Sequence, residues 1–509
     1  MTSKIVVQPN TYFDSVVLMR IAAQLATHSG IETASLVMGT EANRQVLAEA
    51  GLLEQDALTA GPNDLVIVVA GHEEALDSAL EVAQELLARP THSGSDSASA
   101  APPTMRTLSQ VAAEATIAVI STPGQYAAAE AMKALRLGLH AFIFSDNVEL
   151  ADEVELKRFA HERGLLVMGP DCGTAIVNGV PLAFANEIRR GNVGLIGASG
   201  TGLQQVSTLL DNWGAGVSHV IGAGGRDLSQ EVGAISMLDA LDALDADEGT
   251  DVIVLVSKPP APEVSARVLR RAGERDKPVI AAFLGAEADS SQGSGVTVVP
   301  TLDEAAGAAL RLATGQDAPI APVHDVAALA DGRPQQRRFL RALFAGGTFA
   351  YEASLLLTPM LGQVARRIDG YVPGSQASLP EGHLVLDLGD DEFTVGRPHP
   401  MIDPSTRLEL IRAAADDPGT GVILLDVVLG HGAAEDPAGD LCDAVAQATA
   451  SADSPLVVAF VVGTDSDSQG LAAQQQKLRQ AGAVVVRSST HAAWLTEEYV
   501  SALKLGGVS

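Results

Sequence analysis

The sequence predicts an α/β protein made of three doubly wound units, in which mostly parallel sheets are covered on both faces by helices. Apolar runs of strand length alternate with helical patterns along nearly the whole chain. Aromatic residues make up only 4% of the chain, and the runs are rich in Val, Ile and Leu, as buried parallel strands are. The length of 509 residues exceeds what one hydrophobic core supports, so we expect about three domains.

Each predicted strand is a short aliphatic run that ends at a turn or at a polar helix start. In order, these runs begin at Ile5, Ser35, Asp64, Thr116, Ala141, Leu165, Val193, Val252, Val279, Val296, Leu384, Val422, Leu456 and Val484. A Rossmann-like unit is predicted over 1–190, a first flavodoxin-like unit over 191–316 and a second over 339–509. The segment 317–338 contains prolines that resist helix formation and is predicted to be a linker. The stretch from about 89 to 106 is rich in Ser, Ala and Pro, which predicts a flexible loop.

Charge and composition exclude several kinds of partner. The net charge is −30, so no Lys/Arg-rich face is available for nucleic acid. No apolar run reaches the roughly 18 residues of a membrane helix, and the N-terminus lacks an apolar signal region, so we expect a soluble, cytoplasmic protein. Cys172 and Cys442 are too few for a disulfide framework or a thiolate site, and no metal is predicted. We therefore expect a small molecule as the substrate.

Two junctions between a strand and a helix predict anion-binding sites. Their residues are Ser199, Gly200 and Thr201 in the first junction and Gly346, Gly347 and Thr348 in the second. The first N–H groups of a helix lack partners within the helix and lie at the positive end of its dipole, so they bind a phosphoryl group without any basic side chain. The alternative is that each junction is only a helix cap and a tight turn.

The two flavodoxin-like units read as copies of one design. A Gly/Asp-rich loop follows the second strand of each unit, at Gly222–Asp227 and at Asp387–Glu392. Another pair of loops, Ser257–Pro260 and Gly430–Ala433, follows the next strand. Open α/β sheets bind ligands at the carboxyl ends of their strands. The phosphate-binding candidates therefore also include Gly224, Gly225 and Gly430.

Several motifs resemble those of known families. Val193–Thr201, Val220–Gly225 and Gly169–Gly173 resemble the alpha subunit of succinyl-CoA synthetase, in which a CoA-binding domain precedes a flavodoxin-like ligase domain. Further motifs along the chain are similar to signatures of the FdrA family: Ser121–Tyr126, Phe144–Asn147, Met168–Ala175, Gly179–Phe184, Gly347–Glu352 and Gly396–Met401. The resemblance implies a CoA-binding-type domain over 1–190, followed by two ligase-CoA-type domains.

The resemblance implies two activities. FdrA-like proteins are labelled acyl-CoA synthetases by fold, and such a chain would need a separate ATP-binding subunit. Members also accompany genes for allantoin breakdown and are implicated as a subunit of an oxamate carbamoyltransferase of purine catabolism, which converts oxalurate and phosphate to oxamate and carbamoyl phosphate. We expect the second activity, with phosphate or carbamoyl phosphate as substrate, other subunits as partners and a homo-oligomer as an option. A non-catalytic scaffold is a third alternative.

The sequence departs from the synthetase pattern in three respects. Succinyl-CoA synthetases carry the phosphoryl group on a histidine, whereas here no histidine lies between His219 and His324. Three units also leave no room for an ATP-binding domain of the ATP-grasp kind. The segment Ile5–Ser15 after the first strand contains no glycine, so close backbone approach to a diphosphate is not predicted there, and CoA is a doubtful ligand.

Three residues are candidates for catalysis. His431 lies in a Gly-His-Gly loop after a buried strand and is a candidate acid or base, with a solvent-facing loop histidine as the alternative. Arg397 and His399 are candidates for clamping a carboxylate such as that of oxamate, because a guanidinium group matches a carboxylate with two hydrogen bonds. An ion pair between Arg397 and a nearby aspartate is the competing structural role.

Three further candidates carry weaker signals. Asp171 and Cys172 follow a buried strand and a Gly-Pro turn. Cys172 is a candidate nucleophile, but no histidine base is assigned beside it, which favours a packed thiol. Lys258 ends a strand and is a candidate for neutralising phosphate charge, with an exposed loop lysine as the alternative.

Overall fold

The structure, a computed structural model, describes most of the chain. The described residues are 2–9, 11, 13, 15–26, 28–40, 43–44, 47–48, 52, 60–61, 64–88, 114–285, 295–334, 336–375, 377–394, 397–451 and 453–505. The loop predicted at about 89–106 lies outside them. The chain divides into two units, the first formed by Met1–Pro102 with Asp390–Asp403, the second by Pro103–Gly389 with Pro404–Ser509.

The first unit is built around a three-stranded antiparallel sheet. Its elements are β1 (Thr2–Gln8), α1 (Ser15–Ala26), β2 (Ile31–Met38), β3 (Leu65–Gly71), α2 (Glu73–Ala88) and, from the later segment, α11 (Asp391–Thr394). β3 lies between β1 and β2 and pairs with both. All of β3 is buried, and apolar side chains of α1 and α2 pack against the sheet, Leu25 and Ala79 among them.

This sheet differs from the Rossmann-like unit predicted over 1–190, whose strands would be parallel. The prediction used the continuous apolar run Leu65–Val69. A strand buried on both faces has such a run in either kind of sheet, so the run shows burial and not the direction of pairing. The parallel arrangement begins only with the next sheet.

The second unit opens with a small parallel sheet of strand order β4-β5-β6. Its elements are β4 (Ile117–Ile120), α3 (Gly124–Arg136), β5 (His140–Ile143), α4 (Leu150–His161) and β6 (Val167–Met168). A hairpin follows, made of β7 (Thr174–Val177) and β8 (Val180–Ala183), and β7 pairs antiparallel with a strand of the next sheet. These two strands therefore leave the sheet of the unit to which the sequence assigned them.

Two larger sheets follow. The elements of the first are β9 (Arg190–Gly197), α5 (Gly200–Asn212), β10 (Val217–Gly222), α6 (Ile235–Ala246), β11 (Val252–Ser257), α7 (Pro262–Gly273), β12 (Val279–Phe283), β13 (Thr297–Val298) and α8 (Leu302–Thr314). The predicted linker holds a short helix, α9 (Val326–Ala330). The elements of the second are β14 (Phe339–Phe344), α10 (Gly347–Leu361), β15 (Val364–Ala365), β16 (His383–Asp387), α12 (Ser405–Asp416), β17 (Thr420–Val428), α13 (Gly439–Ala448), β18 (Leu456–Val462), α14 (Leu471–Gln480), β19 (Val484–Val486) and α15 (Ser489–Leu505).

The two larger sheets share one topology. The strand order β13-β12-β11-β9-β10 in the first corresponds to β19-β18-β17-β14-β16 in the second, and all of these pairs are parallel. All residues of β11, β12, β17 and β18 are buried, as expected for parallel strands that helices cover on both faces. The expected α/β class, with parallel sheets covered by helices, is confirmed.

Candidate functional site

The N-termini of α5 and α10 meet, although 149 residues separate their hydroxyl groups in sequence. The Ser199 and Thr348 hydroxyls are hydrogen-bonded to each other, and both residues are buried. Ser199 is also the N-cap of α5, where its Oγ accepts a hydrogen bond of 3.1 Å from the Gly202 amide. Glycine is required at Gly202, because a Cβ there would lie 2.6 Å from Ser199 Oγ. The two junctions, which the sequence predicts as separate sites, thus lie side by side in the structure.

Backbone amides at this junction are available to a ligand. Within the described part of the chain, the amides of Gly200, Thr201, Gly347 and Thr348 have no hydrogen-bond acceptor. Three of these residues are only half-buried, Thr348 being the exception. Amides at the positive end of two helices, with two hydroxyls between them, are suited to hold phosphoryl oxygens.

The two helix ends are not equivalent. Asp426 accepts hydrogen bonds from the Ala345 and Gly346 amides at 2.8 and 2.9 Å, and Arg407 donates to the same carboxylate at 2.6 Å. Gly346 was a candidate phosphate ligand, but its amide is already engaged by this buried ion pair. A Cβ at Gly347 would also collide with the Asp387 carboxylate. The engaged Gly346 amide and the nearby Asp387 carboxylate therefore weaken the α10 end for an anion, and the α5 end is the better site.

The glycine loop after β10 packs closely against Pro170 and Asp171. Gly224 has a φ of +88°, and a Cβ there would collide with the Pro170 carbonyl oxygen. A Cβ at Gly225 would lie 3.4 Å from Asp171 Oδ2, so these two candidates and the exposed Asp171 are neighbours. The carboxylate makes this side of the loop unfavourable for a phosphate.

A buried lysine, which the sequence analysis missed, anchors the same loop. Lys157 on α4 donates to the Ala223 carbonyl oxygen at 3.0 Å and to Asp227 and Glu153 at 2.8 Å each. Asp227 in turn accepts from the Ser236 and Met237 amides at the start of α6. The three charged side chains are fully buried. No sequence signal distinguishes Lys157 from an exposed helix lysine, because its partners lie up to 70 residues away.

Cys172 and Lys258 differ sharply in exposure. The Cys172 thiol donates towards the Gly222 and Thr174 carbonyl oxygens, and burial raises its pKa to about 12. A thiol with that pKa is protonated at neutral pH and is a poor nucleophile. Lys258 is exposed at the carboxyl end of β11, beside β9 and the turn at Ser199. It is therefore placed at the correct edge of the sheet to meet an anion.

His431 and Gly430 lie at the carboxyl end of β17. His431 Nε2 is 2.7 Å from Glu187 Oε1, and the His431 amide donates to the Ala185 carbonyl oxygen at 2.8 Å. The Gly430 amide donates to Gln469 Oε1 at 3.2 Å, so this candidate phosphate ligand also has a protein partner. β17 is the neighbour of β14, whose carboxyl end leads into α10. Sequence analysis missed Glu187, which lies 244 residues before its partner.

Arg397 and His399 belong to the first unit. The Arg397 amide donates to the Thr394 carbonyl oxygen at 3.0 Å. His399 Nδ1 accepts a hydrogen bond from the Met401 amide at 3.2 Å. Burial lowers the pKa of His399 to about 4, so its imidazole is neutral at neutral pH. A neutral imidazole offers a carboxylate a hydrogen bond but no positive charge.

A buried carboxyl group links the two larger sheets. Glu352 on α10 accepts hydrogen bonds from the Leu302 amide at the start of α8 and from the Ser489 and Thr490 hydroxyls at the start of α15. In the reverse direction, Gln205 on α5 accepts from the Ser489 amide at 3.3 Å. Each of the two larger sheets, with its helices, thus supplies a side chain that caps the last helix of the other.

Three family models each match one segment of the chain. Residues 1–103 match the AllF heavy metal-associated domain, 188–285 match the CoA binding domain and 343–498 match CoA-ligase. The CoA-binding match begins at β9 and includes the Ser199 turn, whereas the sequence analysis placed the CoA-binding-type domain before residue 190. Over 1–103 the sequence has no cysteine, so the thiolates that bind soft metals are absent there. Nor does any group of three metal-binding side chains occur in the described residues.

Two relatives and one solved structure are similar to this chain. The chain is 41% identical to YahF of Escherichia coli K12, over 98% of this chain and 99% of that protein. It is 28% identical to succinate–CoA ligase [ADP-forming] subunit alpha 1 of Archaeoglobus fulgidus, over 36% of this chain and 63% of that subunit. The apo form of acetyl-coenzyme A synthetase 1 of Ca. Korarchaeum cryptofilum superposes with a TM-score of 0.34 at 17% identity, over 80% of this chain and 88% of that one.

The helices give no sign of a membrane segment: none in the described residues combines the length and apolar character that crossing a bilayer requires. The YahF match spans nearly the full length of both chains, and the succinate–CoA ligase subunit matches over about a third of this chain. The protein therefore belongs to the FdrA-like family that includes YahF, and its CoA-binding and CoA-ligase domains are homologous to those of succinate–CoA ligase alpha subunits.

Proposed function

We propose that this chain is the acyl-transferring subunit of a ligase-type enzyme, in which an acyl phosphate is held between α5 and α10 and its acyl group passes to CoA. The observation that carries the proposal is the hydrogen bond between the Ser199 and Thr348 hydroxyls, which joins two helix N-termini whose first amides have no acceptor among the described residues. The CoA-binding and CoA-ligase matches each contain one of the two ends. A partner subunit would supply ATP binding.

Charge development in the reaction suits this site. When an acyl phosphate transfers its acyl group, the negative charge on the departing phosphate increases. The amides of Gly200 and Thr201 are fixed donors that need no reorganisation as that charge grows, which is the most effective form of electrostatic catalysis. Lys258 adds a mobile positive charge at the same edge of the sheet. CoA would supply the thiol that accepts the acyl group.

A second candidate is phosphorolytic carbamoyl transfer, between oxalurate and phosphate on one side and oxamate and carbamoyl phosphate on the other. It is favoured by the sequence of Lys277–Gly295, which resembles the segment that carries the phosphohistidine in succinyl-CoA synthetases but contains no histidine. Without that relay, the acyl phosphate itself would be the species that enters or leaves. Carbamoyl phosphate needs only the same phosphoryl cradle and, on the acyl side, acceptors for its amide N–H groups.

The decisive experiment supplies acyl phosphates directly, so that no ATP step is needed. The full chain is incubated with acetyl, succinyl or carbamoyl phosphate, and with CoA or oxamate as the acceptor. Thioester or oxalurate formation is measured together with phosphate release. We expect one donor–acceptor pair to give stoichiometric product and phosphate, alone or with the subunits encoded beside it. Phosphate release at the same rate without any acceptor would indicate hydrolysis and would contradict acyl transfer.

A further inference from the structure

An exposed carboxylate fixes the orientation of His431. Glu187 Oε1 lies 2.7 Å from His431 Nε2, and the two side chains are 46% and 53% exposed. An ionised carboxylate only accepts hydrogen bonds, so Nε2 carries the proton and donates it. The neutral ring then has its lone pair on Nδ1. In the described residues, no group bonds to that nitrogen, so it is open to a ligand or solvent.

The backbone of Glu187 is held by two buried polar side chains. Its amide donates to Asp467 Oδ1 at 2.8 Å, and its carbonyl oxygen accepts from the Thr464 hydroxyl at 2.8 Å. The preceding Asn186 donates to Asp467 Oδ2 and to the Leu429 carbonyl oxygen, both at 2.9 Å. Asn186 and Asp467 are buried. The backbones of Glu187 and His431 are therefore both fixed, so only side-chain rotamers have to be ordered when the pair forms.

The same network reaches α5, the helix whose N-terminus forms part of the candidate anion site. Gln204 Nε2 on α5 donates to Asn186 Oδ1 at 3.1 Å. Gln204 lies one helical turn after Gly200, whose amide faces the site. His431 follows β17 and Gly346 follows β14, and these strands are parallel neighbours, so both residues lie at one edge of the sheet.

We propose that Glu187 is a positioning residue that holds His431 with Nδ1 free to act as the general base of acyl transfer. The inference rests on the proposed function. In the step, the acceptor's S–H or N–H proton moves to Nδ1, and the electron pair of that bond attacks the acyl carbon. The acyl carbon–oxygen bond to phosphate then breaks, and its electron pair leaves on the phosphate. The imidazolium is balanced by the Glu187 carboxylate and returns its proton to the product phosphate or to water.

The tautomer can be measured without any activity. Imidazole ¹⁵N spectra of the full chain labelled at histidine would be compared with those of Glu187→Ala, with His431→Gln used to assign the signal. We expect a protonated Nε2 and an unprotonated Nδ1 in the unaltered protein, and a mixture of tautomers in Glu187→Ala. His161, whose Nδ1 is 2.7 Å from Asp239, is the matched control and its signal should not change. A protonated Nδ1 in the unaltered protein would overturn the proposal.

Kinetics with the best acyl phosphate donor give the second arm. We expect His431→Gln to lower kcat about 100-fold and Glu187→Ala about 10-fold, both with KM within about twofold, because neither side chain binds the phosphate. The double variant should equal His431→Gln, and Glu187→Asp should recover part of the loss. If the unaltered chain transfers acyl groups and both single variants keep its kcat, the proposed roles of Glu187 and His431 are refuted while the proposed function stands. No transfer with any donor would refute the function, and the spectra would still test the tautomer.

Discussion

Ser199 combines two roles that substitution can separate, because its hydroxyl caps α5 and also faces the candidate anion site. Asp and Asn cap helices as well as Ser does, but only Asp adds a negative charge. At about 4 Å and the effective dielectric of a protein surface, two like charges repel by roughly 4 kcal/mol. We predict that Ser199→Asp lowers phosphate affinity at least tenfold, whereas Ser199→Asn changes it less than about threefold. Calorimetric titration with inorganic phosphate tests this, and equal affinity in both variants would contradict an anion site here.

Glu352 predicts a dependence of stability on pH. Burial raises its pKa from 4.5 to about 7, against the smaller opposing effects of its hydrogen bonds. Between these values the folded state binds a proton that the unfolded state has released, so this contribution to stability is complete below pH 4.5 and is lost as pH rises through 7. The loss is roughly 3 kcal/mol. Between pH 5 and 8, the free energy of unfolding measured in urea should therefore fall less for Glu352→Gln than for the unaltered chain. Parallel curves of this free energy against pH for the two proteins would contradict a protonated Glu352.

At the scale of elements, Lys157 holds α4 to the glycine loop after β10. Replacing it by Met leaves the Asp227 and Glu153 carboxylates buried without their shared cation, although α6 amides still contact Asp227 and Arg226 still contacts Glu153 at 2.9 Å. Breaking a buried pair in this way costs about 3 to 5 kcal/mol. We predict a clear fall in the thermal unfolding temperature of Lys157→Met. Lys133→Met, which removes a largely exposed lysine paired with Glu130, is the control and should cost less than about 1 kcal/mol.

The sequence predicted helices and strands better than it predicted which strands pair and which side chains meet. The start of α5 was predictable because the Ser199 turn is local and its glycines lie within three residues, and the shared topology of the two larger sheets was predictable because each repeats the same order of strands and loops. The antiparallel pairing of β3 was not, since an apolar run records burial alone. Glu187 and Asp426 were not predicted for another reason. Each contacts a residue about 80 or more positions away, and no periodicity in the sequence connects the two partners.

For the whole molecule, the net charge of −30 sets an unusual expectation for the proposed phosphate site. At that site the attraction would come from helix amides in contact with the ligand, where salt has little effect, whereas the repulsion would come from charges spread over the surface. The Debye length falls from about 30 Å at 0.01 M salt to about 10 Å at 0.1 M, so salt removes mainly the repulsion. We therefore predict that phosphate affinity rises about two- to threefold between 0.01 and 0.15 M potassium chloride.

That direction distinguishes the proposed cradle from a site made of basic side chains. Lys258 is exposed, and an interaction that depended on such side chains would weaken as salt screens it. Titration of inorganic phosphate at three salt concentrations is sufficient, with Lys258→Gln as the matched variant. We expect the affinity of both proteins to rise with salt, and the affinity of Lys258→Gln to rise more steeply because its one local screened attraction is gone. Affinity that falls with salt in the unaltered chain and not in Lys258→Gln would show that Lys258, and not the α5 amides, holds the anion.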